Sequence, residues 1–203
     1  MKKYTIGLIT GALLAVSAMM FMGAQNKNLG DITVNSITVT DDGSGGVIRT
    51  FNADGKMTAY LGTSENGNGF ITTYNADGIK TSYLGTGEGG VGKLTISNAD
   101  GIQTSYLGTA EGGVGKLSTY NADGKETAYL GTGKDGFGFI RTFNADGIQT
   151  SYLGTGEGGS GFLETYNKHE VMTGYFGTNK DNDGIAVLFD RYGDIGWSAI
   201  GKQ

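Results

Sequence analysis

Aspartates at positions 54, 77, 100, 123 and 146 recur every 23 residues, always inside the word NADG, and a ladder of carboxylates is what a row of calcium sites would require. The spacing argues against it. If each aspartate sits at the turn of one hairpin, neighbours lie two strand spacings apart, roughly 10 Å, too far to share an ion whose ligands sit at about 2.4 Å. The sole histidine, His169, stands where the turn aspartate would be in the degenerate word NKHE, with no second histidine for a metal and no serine-histidine-acid setting. Ser82, Ser105 and Ser151 fill a small-residue position held elsewhere by Ala59 and Ala128, which is not how nucleophiles are distributed. GEGGVG at 87–92 lacks the Lys-Ser/Thr and the following helix of a phosphate loop and reads as a hairpin link, and DNDG at 181–184 reads as a turn. Catalysis needs a few unlike groups in one pocket. This chain offers like groups at intervals, so neither an enzyme nor a cofactor is expected.

The elements that carry these residues follow from the repeat. Asn52, Asn75, Asn98, Asn121 and Asn144 each open NADG, and Asn167 and Asp190 keep the spacing with NKHE and DRYG. Asn at the first position of a type I turn, Asp at the third and Gly in the left-handed conformation close a three-residue hairpin loop with a bulge. With Asn52 and Lys56 as the closing pair, Phe51 faces Met57, Thr50 faces Thr58, Arg49 faces Ala59, Ile48 faces Tyr60 and Val47 faces Leu61. That register puts the threonines, an aliphatic residue and a tyrosine on one constant face of every unit. The charges Lys80, Lys93, Lys116, Glu126, Arg141 and Glu164 fall on the other, together with Leu61 and its equivalents.

The chain of 203 residues has 39 glycines, no proline and no cysteine. Two strands, a three-residue loop and a short link sum to the period, so the expected fold is all-β, a repetitive antiparallel meander of 23-residue hairpin units; a β-solenoid or triple-stranded fibrous arrangement is the alternative. One thin sheet with a modest apolar face is expected to curl on itself or to share that face with copies of itself, which predicts a homo-oligomer. Without cysteine there are no disulfides, thiolate sites or lipid-modified N-terminal cysteine. The formal charge of −5, with signs interspersed, offers no basic stripe for nucleic acid.

Residues 1–24, with Lys2 and Lys3 ahead of an apolar run from Ile6 to Met22, have the layout of a bacterial export signal; an uncleaved N-terminal anchor is the rival, and it is the only part expected to meet a membrane. Residues 25–45 read as a lead-in segment with short strands through Ile32, Val34, Ile37 and Val39. Six hairpin repeats are expected over 46–183, followed by a degenerate repeat or cap over 184–203 that holds the sole tryptophan, Trp197. The predicted location is extracellular or on the cell surface.

Thr58, Thr81, Thr104, Thr127 and Thr150, beside Tyr60, Tyr83, Tyr106, Tyr129 and Tyr152, are the candidate surface-binding residues. A row of Thr next to a row of Tyr suits a glycan or an ordered lattice, and the Thr pattern resembles that of ice-binding solenoids. The plainer account is that Thr-Thr pairs stabilise sheets. Over residues 46–201 the units resemble hairpin repeats of secreted bacterial proteins, in which a D/N-x-D-G turn precedes a short strand ending in Leu-Gly, and they are similar to stalk segments of phage tail fibres and surface fibres. The export-type N-terminus speaks against a phage fibre, and the resemblance carries no activity with it. The expected function is a non-enzymatic structural role, as a stalk or fibre component at the cell surface with adhesion as a further possibility, and the alternative is a binding protein for glycan or ice.

Overall fold

The computed structural model describes residues 13, 14, 16, 17, 33–40, 43, 45–156 and 158–201. The chain divides into residues 1–38 and 39–203, and the sheet lies wholly in the second unit. Most of the expected export signal falls outside the described residues; Leu13, Leu14, Val16 and Ser17 are helical and exposed, and no described helix is long and apolar enough to cross a membrane. Residues 33–40, read above as part of a segment with short strands, carry no strand, and the other half of that expected segment lies largely outside the described residues.

The described residues form fourteen strands: β1 (Val47–Phe51), β2 (Met57–Thr63), β3 (Gly69–Tyr74), β4 (Lys80–Thr86), β5 (Gly92–Ser97), β6 (Gln103–Thr109), β7 (Gly115–Tyr120), β8 (Glu126–Thr132), β9 (Gly138–Phe143), β10 (Gln149–Thr155), β11 (Gly161–Tyr166), β12 (Met172–Thr178), β13 (Gly184–Phe189) and β14 (Ile195–Ile200). They form a single open antiparallel sheet in sequence order. A meander is therefore the fold. Substantial contacts between strands join only sequence neighbours, so the sheet does not curl into a second layer.

The turns behave as their residues dictate. The Asn52 N–H donates to Lys56 C=O at 2.9 Å and the Gly55 N–H to Asn52 C=O at 3.0 Å. Asn52 Oδ1 accepts from the Asp54 and Lys56 amides at 3.1 and 2.9 Å, and Gly55 takes φ +75°. The links at the opposite edge close by the same two-bond scheme, as in Ser64–Asn68, Gly87–Val91 and Gly133–Phe137. Asn179–Asp183 is one of these links, with Asn182 at φ 65°, so the first three residues of the DNDG word lie in a turn as expected and its glycine opens β13.

Beyond the closing pair the expected register is corrected. Phe51 does face Met57, but Thr50 faces Ala59, Arg49 faces Tyr60 and Ile48 faces Leu61. A bulge sets both Thr58 and Ala59 against Thr50, and each other hairpin shifts at the same place. Every side chain past the bulge thus changes its partner, and tyrosine changes face relative to the aliphatic residue. The bulge is held by its own side chains: Thr50 Oγ1 lies 2.7 Å from Thr58 Oγ1, and Thr73 Oγ1 lies 3.1 Å from Thr81 Oγ1 and 2.7 Å from Ser82 Oγ. Two side chains crowd over one, which is why the second is small. A Cβ added at Gly174 would stand 2.7 Å from Thr165 Oγ1.

Two faces result. The aliphatic face carries a middle row formed by Ile48, Leu61, Ile71, Leu84, Leu94, Leu107, Leu117, Leu130, Ile140, Leu153, Leu163 and Phe176, one per strand from β1 to β12. On its NADG side runs the Thr and small-residue row, and on its link side a row of Thr and Gly. The aromatic face carries the tyrosines. Among the described residues the buried side chains are Thr72, Ser118 and Val187, all on the aromatic face, so what core exists lies there.

Candidate interaction surface

The five candidate threonines all lie on the aliphatic face, as the bulge residues. Thr127 and Thr150 pair with Thr119 and Thr142 at 2.9 and 2.8 Å, as Thr58 and Thr81 pair with their partners. Thr104 has Ile96 opposite instead of a threonine, and its hydroxyl turns to donate to the Ile96 carbonyl at 3.3 Å. The five candidate tyrosines lie on the other side of the sheet. Structure thus separates two rows that sequence reasoning placed side by side, because one extra residue in each hairpin rotates the strand between them.

Each of these tyrosines belongs to the run Tyr-x-Gly, and the rings of Tyr60, Tyr129 and Tyr152, like that of Tyr175, lie back over that glycine. A Cβ at Gly62 would meet the Tyr60 ring at 2.7 Å, and one at Gly131 would meet the Tyr129 ring at 2.6 Å. Only glycine leaves room for the ring. The Tyr83 and Tyr106 hydroxyls then donate to the carbonyls of Thr86 and Thr109 at 2.7 and 2.8 Å, which satisfies the polar tip locally.

The rings are filled in from the neighbouring strands. Phe70 stacks between Tyr60 and Tyr83 at centroid distances of 4.9 and 5.6 Å. Further along, Tyr129, Phe139, Tyr152, Phe162 and Tyr175 make a continuous stack with spacings of 5.0, 5.5, 5.0 and 5.8 Å. In the middle of the sheet Lys93 and Lys116 stand where Phe70, Phe139 and Phe162 stand elsewhere. Lys93 Nζ lies 5.2 Å from the Tyr83 ring centre, and Lys116 Nζ lies 4.9 Å from that of Tyr129 and 5.9 Å from that of Tyr106. A cation over an aromatic face replaces ring stacking there. Lys116 also pairs with Glu126 at 3.3 Å.

Between consecutive tyrosines one residue per unit is walled in. Thr72 is 2% exposed and its hydroxyl donates to the Ser82 carbonyl at 2.6 Å; Ser118, its equivalent two units on, is 0% exposed and its hydroxyl makes no hydrogen bond. At Arg141 the same position holds a guanidinium 4.7 Å from the Phe139 ring centre and 5.4 Å from that of Tyr152. Glu164 accepts a hydrogen bond from the Tyr166 hydroxyl, and burial together with that bond pushes the Tyr166 phenol up to about 12. In the sequence Lys93, Lys116, Arg141 and Glu164 stood out only as charges, and Phe70, Phe139, Phe162, Thr72 and Ser118 escaped notice. The signal was present in the position after each link glycine, which reads Phe70, Lys93, Lys116, Phe139, Phe162 and Ile185 at the constant period.

Charge separates the faces as sharply as shape does. Every charged residue within the fourteen strands, Arg49, Lys80, Lys93, Lys116, Glu126, Arg141 and Glu164, lies on the aromatic face. The aliphatic face has none, yet members of its middle row are as much as 54% exposed at Leu107 and 67% at Phe176. His169 sits in the Asn167–Val171 turn, its amide donating to Asn167 Oδ1, and the repeated aspartates hold the same turn position. Among the described residues no three His, Asp or Glu side chains group as metal ligands would.

The chain matches no protein-family model and no curated protein sequence.

Proposed function

We propose that this chain is an exported, non-enzymatic structural repeat protein that serves as a stalk, fibre or surface-layer component outside the cell. The observation that carries the reading is the strictly sequential pairing of β1 through β14 by one repeated hairpin. Such a sheet grows in length and in regular surface with each unit, and it brings no unlike groups together in a cleft. The N-terminal layout supports the location. Expression of the full chain in a bacterial host, with protease treatment of intact cells and negative-stain imaging of the product, tests both halves. Elongated particles accessible from outside are expected. A protease-protected product, or compact particles alone, ends the reading.

Recognition of a glycan or of ice stays as a second reading because the threonine row stands on a charge-free face. Its aromatic half loses support, since the tyrosine rings are flanked by Phe and Lys and do not offer their faces to a sugar. Ice shaping by the wild-type chain that vanishes in Thr104→Val with Thr127→Val would move this reading to first place.

A further inference from the structure

We propose that a second copy of this chain docks on the aliphatic face, laying middle row on middle row to make a two-sheet sandwich. The inference rests on the structural reading above and names its partner. A sheet with one packed face and one exposed apolar face normally buries the second against another layer about 10 Å away. Among the described residues no second layer covers this face, because substantial strand contacts run only between sequence neighbours.

Area and chemistry select a copy of the same chain. A dozen large apolar side chains, eleven of them 39–67% exposed and Leu94 less so, present on the order of 1,000 Å² per sheet, far above the few hundred Å² of an ordinary surface patch. Two such faces together hide roughly 2,000 Å², the range of stable and obligate homodimers. No strand places a charge on this face, so copies meet without repulsion and without a charge to desolvate. The row is also the middle one of three. Either two-fold axis lying between the sheets, along the row or along the strands, therefore sets Leu on Leu, as an isologous contact requires. Residues 25–45 are a poor substitute, for their aliphatic run Ile32, Val34, Ile37 and Val39 is only four side chains long and is bracketed by Asp31 and by Asp41 and Asp42.

The absence of cysteine makes the test direct. Leu107→Cys and Leu117→Cys, near the midpoint of the row, are introduced singly into the full chain, with Lys116→Cys on the opposite face as control. The two row variants are studied alone and as a one-to-one mixture, because together in one chain these cross-strand partners would bridge each other. Mild oxidation on intact cells followed by a non-reducing gel should convert most of the Leu117→Cys chains to a covalent dimer and leave Lys116→Cys monomeric. Equal cross-linking of the two, or none from either row position, overturns the proposal. Should the leucine variants fold poorly, the wild-type mass by sedimentation decides: a dimer that Leu107→Glu dissociates while its β-sheet circular dichroism persists supports the pairing, and a wild-type monomer refutes it. A monomer that floats with phosphatidylglycerol vesicles assigns the face to lipid and equally refutes it. Failure of pairing leaves the structural reading intact wherever elongated particles are still seen outside the cell. Loss of those particles with cross-linking intact would sink that reading and spare the pairing.

Discussion

On one side of β8 Tyr129 lies over Gly131 with Phe139 on one flank and Lys116 on the other, while on the opposite side of the same strand Leu130 stands 47% exposed between Leu117 and Ile140. The two residues are adjacent in sequence and repeat with equal fidelity. Only one of them is accounted for by the chain itself. The aromatic face reaches local completeness because a ring folded along its own strand covers backbone and fills the space above glycine, and at Tyr83, Tyr106 and Tyr175 its hydroxyl is satisfied three residues on. An aliphatic side chain has no such reach: it touches its two cross-strand neighbours and leaves its tip outward. Equal regularity in sequence can therefore mark a finished surface or an unfinished one.

The largest effect should come from opening the finished face. Tyr106→Ser with Tyr129→Ser removes both walls around Ser118, and two half-buried rings at about 2 kcal/mol each should lower stability by about 4 kcal/mol. Urea unfolding followed by circular dichroism measures it, and a loss below about 1 kcal/mol would show that the rings do not hold the sheet. Gly131→Val comes next. Its Cβ would meet the Tyr129 ring at 2.6 Å and the Gly115 carbonyl oxygen at 2.9 Å, so a cost of about 2–3 kcal/mol is expected, recovered in part when Tyr129→Ala is added. Additive losses in that double mutant would contradict the contact between ring and glycine.

Smaller and of opposite sign is Ser118→Ala. A hydroxyl at 0% exposure without a partner is a desolvation cost, and its removal should stabilise by about 1 kcal/mol, whereas the equivalent Thr72→Ala loses a hydrogen bond and should destabilise. Melting the two variants side by side checks the signs. The smallest change is expected from Leu84→Ser on the unfinished face, within about 0.5 kcal/mol in a monomeric preparation. A large loss in demonstrated monomers would mean that the aliphatic row is already covered within one chain.

The hairpin, its closing pair and the meander were legible because NADG is turn chemistry and the period leaves room for nothing else. The assignment of faces was not. Asn52, Lys56, Phe51 and Met57 stand where they were expected, and everything after Thr58 is displaced by one residue. Two hints existed: the residue after each bulge threonine is always small through Gly174, and glycine follows by two the tyrosine of each even-numbered strand from Tyr60 to Tyr175. Both express steric limits that only appear once two strands are placed side by side. Trp197, expected in a degenerate repeat or cap, sits in a seventh hairpin, facing Leu188 at the bulge position and exposed along with the rest of β14.

The identity of the closing scheme at both edges also bears on how such a gene can change. Removal of residues 98–120 would join Ser97 to Asn121, leave every remaining loop closed by its own five residues, and restore the strand pairing across the junction with Lys93 in the place of Lys116 and Ile96 in that of Thr119, since each interaction refers to a neighbour and none to a distant anchor. Tandem near-identical coding segments are prone to unequal exchange during replication. Here each such event, a gain or a loss of one unit, yields a foldable product, so the reach of the protein is a quantity that selection can adjust in whole steps without passing through a broken intermediate.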